Sequence, residues 1–86
     1  MKNNEYITKD LYIASTLHAQ KHVLQKITQE NKTFYFHFLA KNSKELSLIQ
    51  LEAEEYWRGN ILIDPKELFT SFKELKTRMR LKENGE

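Results

Sequence analysis

The residues able to do chemistry in this 86-residue chain are few. His18 and His22 are four apart, which puts two imidazoles on one face of a helix, and His37 is a third candidate ligand further along. A metalloprotease helix carries glutamate directly after its first histidine; Ala19 stands there instead. Zinc sites need three or four matched ligands. The simpler reading, which we prefer, is that His18 and His22 lie on the surface near a helix end and complement its dipole. Glu52, Glu54 and Glu55 raise the same question for a divalent cation or an acid catalyst, and a solvated helix side answers it. Ser15, Ser43, Ser47 and Ser71 sit in no nucleophile elbow. With only Gly59 and Gly85, no glycine-rich phosphate loop can form. Cysteine is absent, which removes disulfides, thiolate metal sites and thiol nucleophiles together. The expectation is a protein that is not an enzyme and holds no cofactor and no metal.

The basic C-terminal stretch says more. From Lys73 to Lys82 there are five positive charges, at Lys73, Lys76, Arg78, Arg80 and Lys82, against Glu74 alone. On a helix Lys73, Lys76 and Arg80 fall within about 60° of one another, with Phe69 on the same flank, while Arg78 and Lys82 lie opposite. Such a stripe can follow a phosphate backbone, dock on an acidic protein or simply complement the helix dipole. Lys73, Lys76, Arg78 and Arg80 are therefore the candidate nucleic-acid residues. A second candidate surface is protein-binding: Trp57 and Arg58, beside Tyr56, with Leu48 and Leu51. Trp, Tyr and Arg are the usual anchors of interfaces, although Trp57 is more simply read as the largest core residue. Joint exposure of Leu48 and Leu51 would favour a protein partner or a dimer; their burial beside an open basic stripe would favour nucleic acid. Tyr35 and His37 are weaker candidates for stacking on bases.

These residues must be positioned by a small fold. The length allows one domain. The net charge of +2 is only weakly basic. No run approaches the about 18 apolar residues that span a bilayer, and the polar start Met1-Lys2-Asn3-Asn4-Glu5 is no signal peptide, so a cytoplasmic protein is expected. Phe34, Phe36 and Phe38 alternate, so they face one side of a strand. Residues 22–29 form the strand before it, with Glu30-Asn31-Lys32 as the turn; a two-residue loop would put Val23 and Ile27 on the phenylalanine face. Glu5–Thr8 is a short first strand. Thr8 caps a helix from Lys9 to about Gln20, with a staple between Ile7 and Tyr12 and an apolar face of Ile13, Ala14 and Leu17. Asn42 and Glu45 have capping-box spacing for a helix from Ser43 to Arg58, stopped by Gly59, whose buried stripe is Leu46, Ile49, Ala53, Tyr56 and Trp57. Ile61–Ile63 is extended or another strand. Asp64-Pro65 with Glu67 starts a third helix to about Leu81, with Leu68, Phe72, Leu75 and Met79 facing inward.

The expected fold class is thus α+β: a small antiparallel β-sheet built on a central hairpin and packed against three α-helices, in the order β-α-β-β-α-(β)-α. Residues 1–4 form a disordered N-terminus, 5–81 the domain and 82–86 a frayed tail. The pattern Tyr6-Ile7-Thr8, Asp10-Leu11-Tyr12, Ala14-Ser15, then Phe34-Tyr35-Phe36, then Glu55-Tyr56-Trp57, Gly59, Asp64-Pro65 and Leu75-Lys76-Thr77-Arg78 resembles a family of small domains of unknown function encoded by bacteria, phages and other mobile elements. The resemblance covers about residues 5–80. It implies a compact helix-and-hairpin domain from a mobile-element setting, and it supplies no catalytic residues. The function expected is a binding module associating with nucleic acid or a nucleoprotein complex. The alternative is a protein-binding inhibitor or adaptor acting on a host complex such as an anti-phage defence assembly. No membrane partner is expected.

Overall fold

The computed structural model describes residues 4–83, the last by its backbone alone. The elements are β1 (Asn4–Thr8), α1 (Leu11–Ala19), β2 (Val23–Glu30), β3 (Thr33–Ala40), α2 (Ser43–Arg58) and α3 (Pro65–Glu83). Together they make an α+β domain with the expected order. The sheet order is β1-β3-β2, and both pairings are antiparallel. β1 and β2 therefore run parallel, with β3 lying between them: a β-α-β unit split by the strand that follows it. The Cα extents of 37 × 35 × 18 Å fit one sheet and one layer of helices.

The phenylalanine strand is the centre of the core. Phe36, Phe38 and Ala40 are buried with Ile27, and they meet Ile13, Ala14 and Leu17 of α1, Ile49 and Ala53 of α2 and Leu75 of α3. Phe34, at the strand's outer end, packs against this cluster without being fully buried. Asn31 takes a left-handed φ of 58°, which closes the two-residue turn, and Glu30 pairs with Thr33. The resulting register puts Ile27 opposite Phe36 as expected. A bulge at Gln25 then shifts it, so Leu24 faces Phe38 and packs on the core, while Val23 pairs with Leu39 and is exposed. The expectation for Val23 is corrected: one extra residue in a strand reverses which side chains point inward.

α1 differs from its expected form in two ways. It begins at Leu11, with Asp10 as N-cap: the carboxylate accepts from the backbone N–H groups of Tyr12 and Ile13 at 2.8 and 3.0 Å. Thr8 instead accepts from the Asp10 N–H at 3.1 Å, so the proposed Thr8 cap and its staple fall two residues early. Every residue from Ile13 to Leu17 is buried, not one face only, because α1 packs against the sheet, α2 and α3 together. Its small residues Ala14, Ser15 and Ala19 permit that approach. The helix ends in a Schellman motif: Lys21 sits at φ 76°, its N–H donates to His18 O at 3.0 Å, and the His22 N–H donates to Leu17 O at 3.1 Å.

α2 has the expected ends. Asn42 accepts from the Glu45 N–H at 2.8 Å, and Glu45 reaches back to the Lys41 N–H at 2.7 Å, one residue before the position a capping box uses. Gly59, at φ 76°, closes the same Schellman motif at its far end. Ile61–Ile63 is not a strand; it connects α2 to α3 with Leu62 almost wholly exposed. At the termini, Asn4 belongs to β1, and Lys82 and Glu83 continue α3, so these three residues are not part of disordered or frayed ends. The rest of the expected disordered and frayed segments, Met1–Asn3 and Asn84–Glu86, lies outside the described residues.

Candidate nucleic-acid interface

α3 is started by Asp64, whose carboxylate accepts from the Lys66 N–H at 2.8 Å, and by Pro65 at the first helical position. Leu75 buries fully, Met79 packs on the core, and Phe72 and Leu68 are half-buried, which anchors the helix along α1. That anchoring turns Phe69, Lys73, Lys76 and Arg80 to the outside, where all four are exposed. Among the described residues none of the three cations is in an ion pair. Arg78 differs: it donates to Glu74 at 2.8 Å one helical turn away, on the far flank. The stripe is thus Lys73, Lys76 and Arg80, and Arg78 is not part of it.

Next to the stripe is a feature the sequence did not reveal. Tyr12 of α1 stacks on Phe72 of α3, with ring centroids 5.6 Å apart and planes 11° from parallel. The Lys76 ammonium lies 5.5 Å from the Phe72 ring centre. Beside this stack runs a groove of about 230 Å³, lined by Tyr12, Tyr56, Leu68, Phe69, Phe72 and Ser15 among others. Phe69 is 68% exposed at its edge. Ser15, on the inner wall, is 1% exposed, and its hydroxyl has no hydrogen-bond partner among the described residues. Burial raises the pKa of the Tyr56 phenol, and Asp10 and Tyr12 raise it further, so the Tyr56 hydroxyl stays a neutral donor. The only sequence signal for this grouping is that Phe69 sits on the stripe's flank; the rest joins residues some 60 positions apart.

The protein-binding candidates are not brought together. Trp57 is 69% exposed and meets only the edge of Tyr56, at 5.6 Å and 75°, so its expected place in the core is corrected. Leu48 and Leu51 are 48% and 50% exposed and line a shallow open groove with Ser47 and Lys44, at the other end of α2. Trp57 is about 180° around the helix from Leu48, so these residues form two surfaces. Arg58 lies between them, exposed, 3.3 Å from Glu55.

The histidines serve as ties between elements. His18 Nδ1 lies 2.8 Å from Ser71 Oγ, which joins α1 to α3, and its Nε2 is 4.0 Å from Glu74. Burial lowers the His18 pKa; Glu74 opposes this, and Arg78 and Lys21 add to the lowering. His22 donates to Glu52 on α2 at 2.7 Å. His37 bridges the outer sheet face, 3.2 Å from Glu5 and 2.8 Å from Thr28. All three are half-buried and partnered, so His18 and His22 are not the free surface groups expected at the end of α1. Among the described residues no three His, Cys, Asp or Glu side chains converge as a metal site. The serine, histidine and glutamate at Ser71, His18 and Glu74 do follow one another in space, beside a polar cavity of about 470 Å³. Ser71 is in mid-helix, however, where neighbouring N–H groups are committed to helical bonds and supply no oxyanion site. Tyr35 is half-buried, and both ring nitrogens of His37 are engaged, which limits stacking there.

No helix among the described residues is long and apolar enough to cross a membrane. Comparisons with protein-family models, with curated proteins and with solved structures found no match.

Proposed function

We propose that this domain is a non-enzymatic binding module that associates with nucleic acid, alone or within a nucleoprotein complex, through the outer face of α3. The observation that carries this reading is the alignment of Lys73, Lys76 and Arg80 on one exposed face, with no carboxylate paired to them among the described residues. Three ammonium and guanidinium groups along about two turns suit successive phosphates. The resemblance of residues 5–80 to small domains of phages and mobile elements would suit a binding role towards nucleic acid or protein alike, in a cytoplasmic setting.

The test is binding to labelled single- and double-stranded oligonucleotides across a salt series, with Lys73→Glu/Lys76→Glu/Arg80→Glu as the comparison. We expect log affinity to fall with log salt at a slope of about −2 to −3, as three phosphate contacts require, and to vanish in the triple variant. Absence of binding at low salt would overturn the reading. A second reading is a protein partner or second copy on the outer flank of α2: Leu48 and Leu51 are exposed together, the outcome expected for a partner or dimer, and the open cationic stripe on α3 is what keeps nucleic acid as the first reading. Leu48→Ser/Leu51→Ser, which touches no core residue, separates the two, because it leaves nucleic-acid binding unchanged if α3 is the interface.

A further inference from the structure

We propose that the groove between α1 and α3 receives a base of a single-stranded nucleic acid, stacked on Phe69 and Tyr12, while Lys73, Lys76 and Arg80 hold the neighbouring phosphates. The inference rests on the reading of α3 as the nucleic-acid face and names the form of the ligand.

Three independent observations converge on it. The first is aromatic surface left open: Phe69 and Tyr12 are 68% and 60% exposed. Exposed rings beside a cationic stripe are the two components that single-strand binders combine, one for base faces and one for the backbone. The second is Ser15. A hydroxyl buried without a partner is costly, and this one lines a largely apolar groove whose other polar groups are the hydroxyls of Thr16, Tyr12 and Tyr56. It offers one donor and one acceptor at the depth where the edge of an inserted base would lie. The third is the charge of the rim. Lys76 lies over Phe72, the ring that Tyr12 stacks on, so one cation of the stripe is held against the groove's aromatic wall. Phe69, Lys73, Lys76 and Arg80 share one face of α3, so a strand running along the helix meets the ring and the cations in succession.

A duplex does not fit this arrangement, because its bases are stacked on one another and unavailable to a side-chain platform. An apolar peptide side chain would satisfy the walls but would leave both the Ser15 hydroxyl and the cationic rim without partners. An RNA and a DNA single strand present the same base faces and phosphates, so the test carries both.

The measurement is fluorescence anisotropy with labelled single-stranded DNA and RNA of roughly eight nucleotides, within the span one small module covers. Two base-free probes accompany them: an abasic deoxyribose-phosphate oligomer of equal length and linear polyphosphate as competitor. Phe69→Ala and Tyr12→Ala are compared with wild type, and Phe69→Trp serves as the conservative replacement. We expect Phe69→Ala to weaken single-strand binding about fivefold or more, Phe69→Trp to retain it, and neither to change binding of the abasic oligomer. Tyr12 also supports Phe72, so the Phe69 variants decide if Tyr12→Ala perturbs the fold. Equal affinity for the abasic and base-bearing oligomers, or a Phe69→Ala protein that binds single strands like wild type, would overturn the base-binding groove and leave the phosphate-binding reading standing. A Phe69→Ala loss of the same size on polyphosphate would overturn it as well. If wild type binds none of the probes at low salt, both readings fall together.

Discussion

Replacing Ser15 with alanine should make this protein more stable. The Ser15 oxygen is buried inside a helix and has no hydrogen-bond partner among the described residues. Leaving a buried hydroxyl unsatisfied costs about 1–3 kcal/mol, and alanine removes the hydroxyl while keeping the Cβ. The cavity created is a single oxygen in size, facing a groove that is already open. Alanine is also the better helix former, by up to about 0.5 kcal/mol. Less the packing contacts that the oxygen gives up, the net is a gain of about 1–2 kcal/mol. For a domain of this length each kcal/mol moves Tm by about 4–8 °C, so Ser15→Ala should melt at least about 4 °C higher. The assay is urea and thermal unfolding followed by far-ultraviolet circular dichroism, with an increased midpoint at unchanged denaturant slope as the signature of a native-state gain. An unchanged or lowered Tm would refute the reasoning: the hydroxyl would then have a partner, such as a water or a carbonyl one turn back, worth more than its desolvation. The substitution separates stability from binding, since the same change removes the unpartnered hydroxyl on the groove's inner wall.

The His18 tie makes stability depend on pH in a definite direction. Burial holds the folded-state pKa below the usual 6.5, so the unfolded chain takes up the proton first as pH falls. The contribution is full above about pH 6.5 and is lost as pH falls through the folded value; His18→Gln should flatten that part of a stability-versus-pH curve, and an unaltered curve would sink the assignment. The two Schellman ends give opposite outcomes. Gly59→Ala places a Cβ at φ 76° with nothing within 4 Å, so it should destabilise by about 1 kcal/mol from backbone strain alone, whereas Lys21→Gly at the same φ should stabilise by a similar amount. Chemical denaturation of both variants checks the pair, and shifts of the same sign would contradict the strain argument.

What could be read from the sequence was what is settled within one or two turns of chain. Asn42, Gly59 and Asp64-Pro65 fix helix ends by bonds to residues two to five positions away, and α2 and the start of α3 lie where those residues put them. The alternation of Phe34, Phe36 and Phe38 identified the core strand for the same reason. The misses involve choices made by distant parts. Thr8 and Asp10 are both good caps, and the pairing of β1 with β3 as far as Thr8 leaves the cap to Asp10. Nothing local in Val23-Leu24-Gln25 signals the bulge, which is set by the core position that Leu24 takes opposite Phe38. Trp57 looked like a core residue because of its size, yet the buried face of α2 is fixed by Ile49 and Ala53 and turns the indole outward. In the candidate site the spacing of Lys73, Lys76 and Arg80 was legible as a helical stripe. Arg78 was expected on phosphates although Glu74 stands four residues before it and takes it as a partner, and the Tyr12–Phe72 stack and the unpartnered Ser15 required the packed structure.

The position of β3 between β1 and β2 has a consequence for the chain as it is made. β1 and β2 are not neighbours, so among the described residues the native sheet contains no pairing that 4–32 could form by themselves. A nascent chain carries two strands and a helix with nothing to zip together until Thr33–Ala40 emerges from the ribosome, when one strand completes both ladders at once. Until then the small, apolar α1 has neither its sheet nor its partner helices. The sheet therefore has a single moment of closure, set by the arrival of its middle strand.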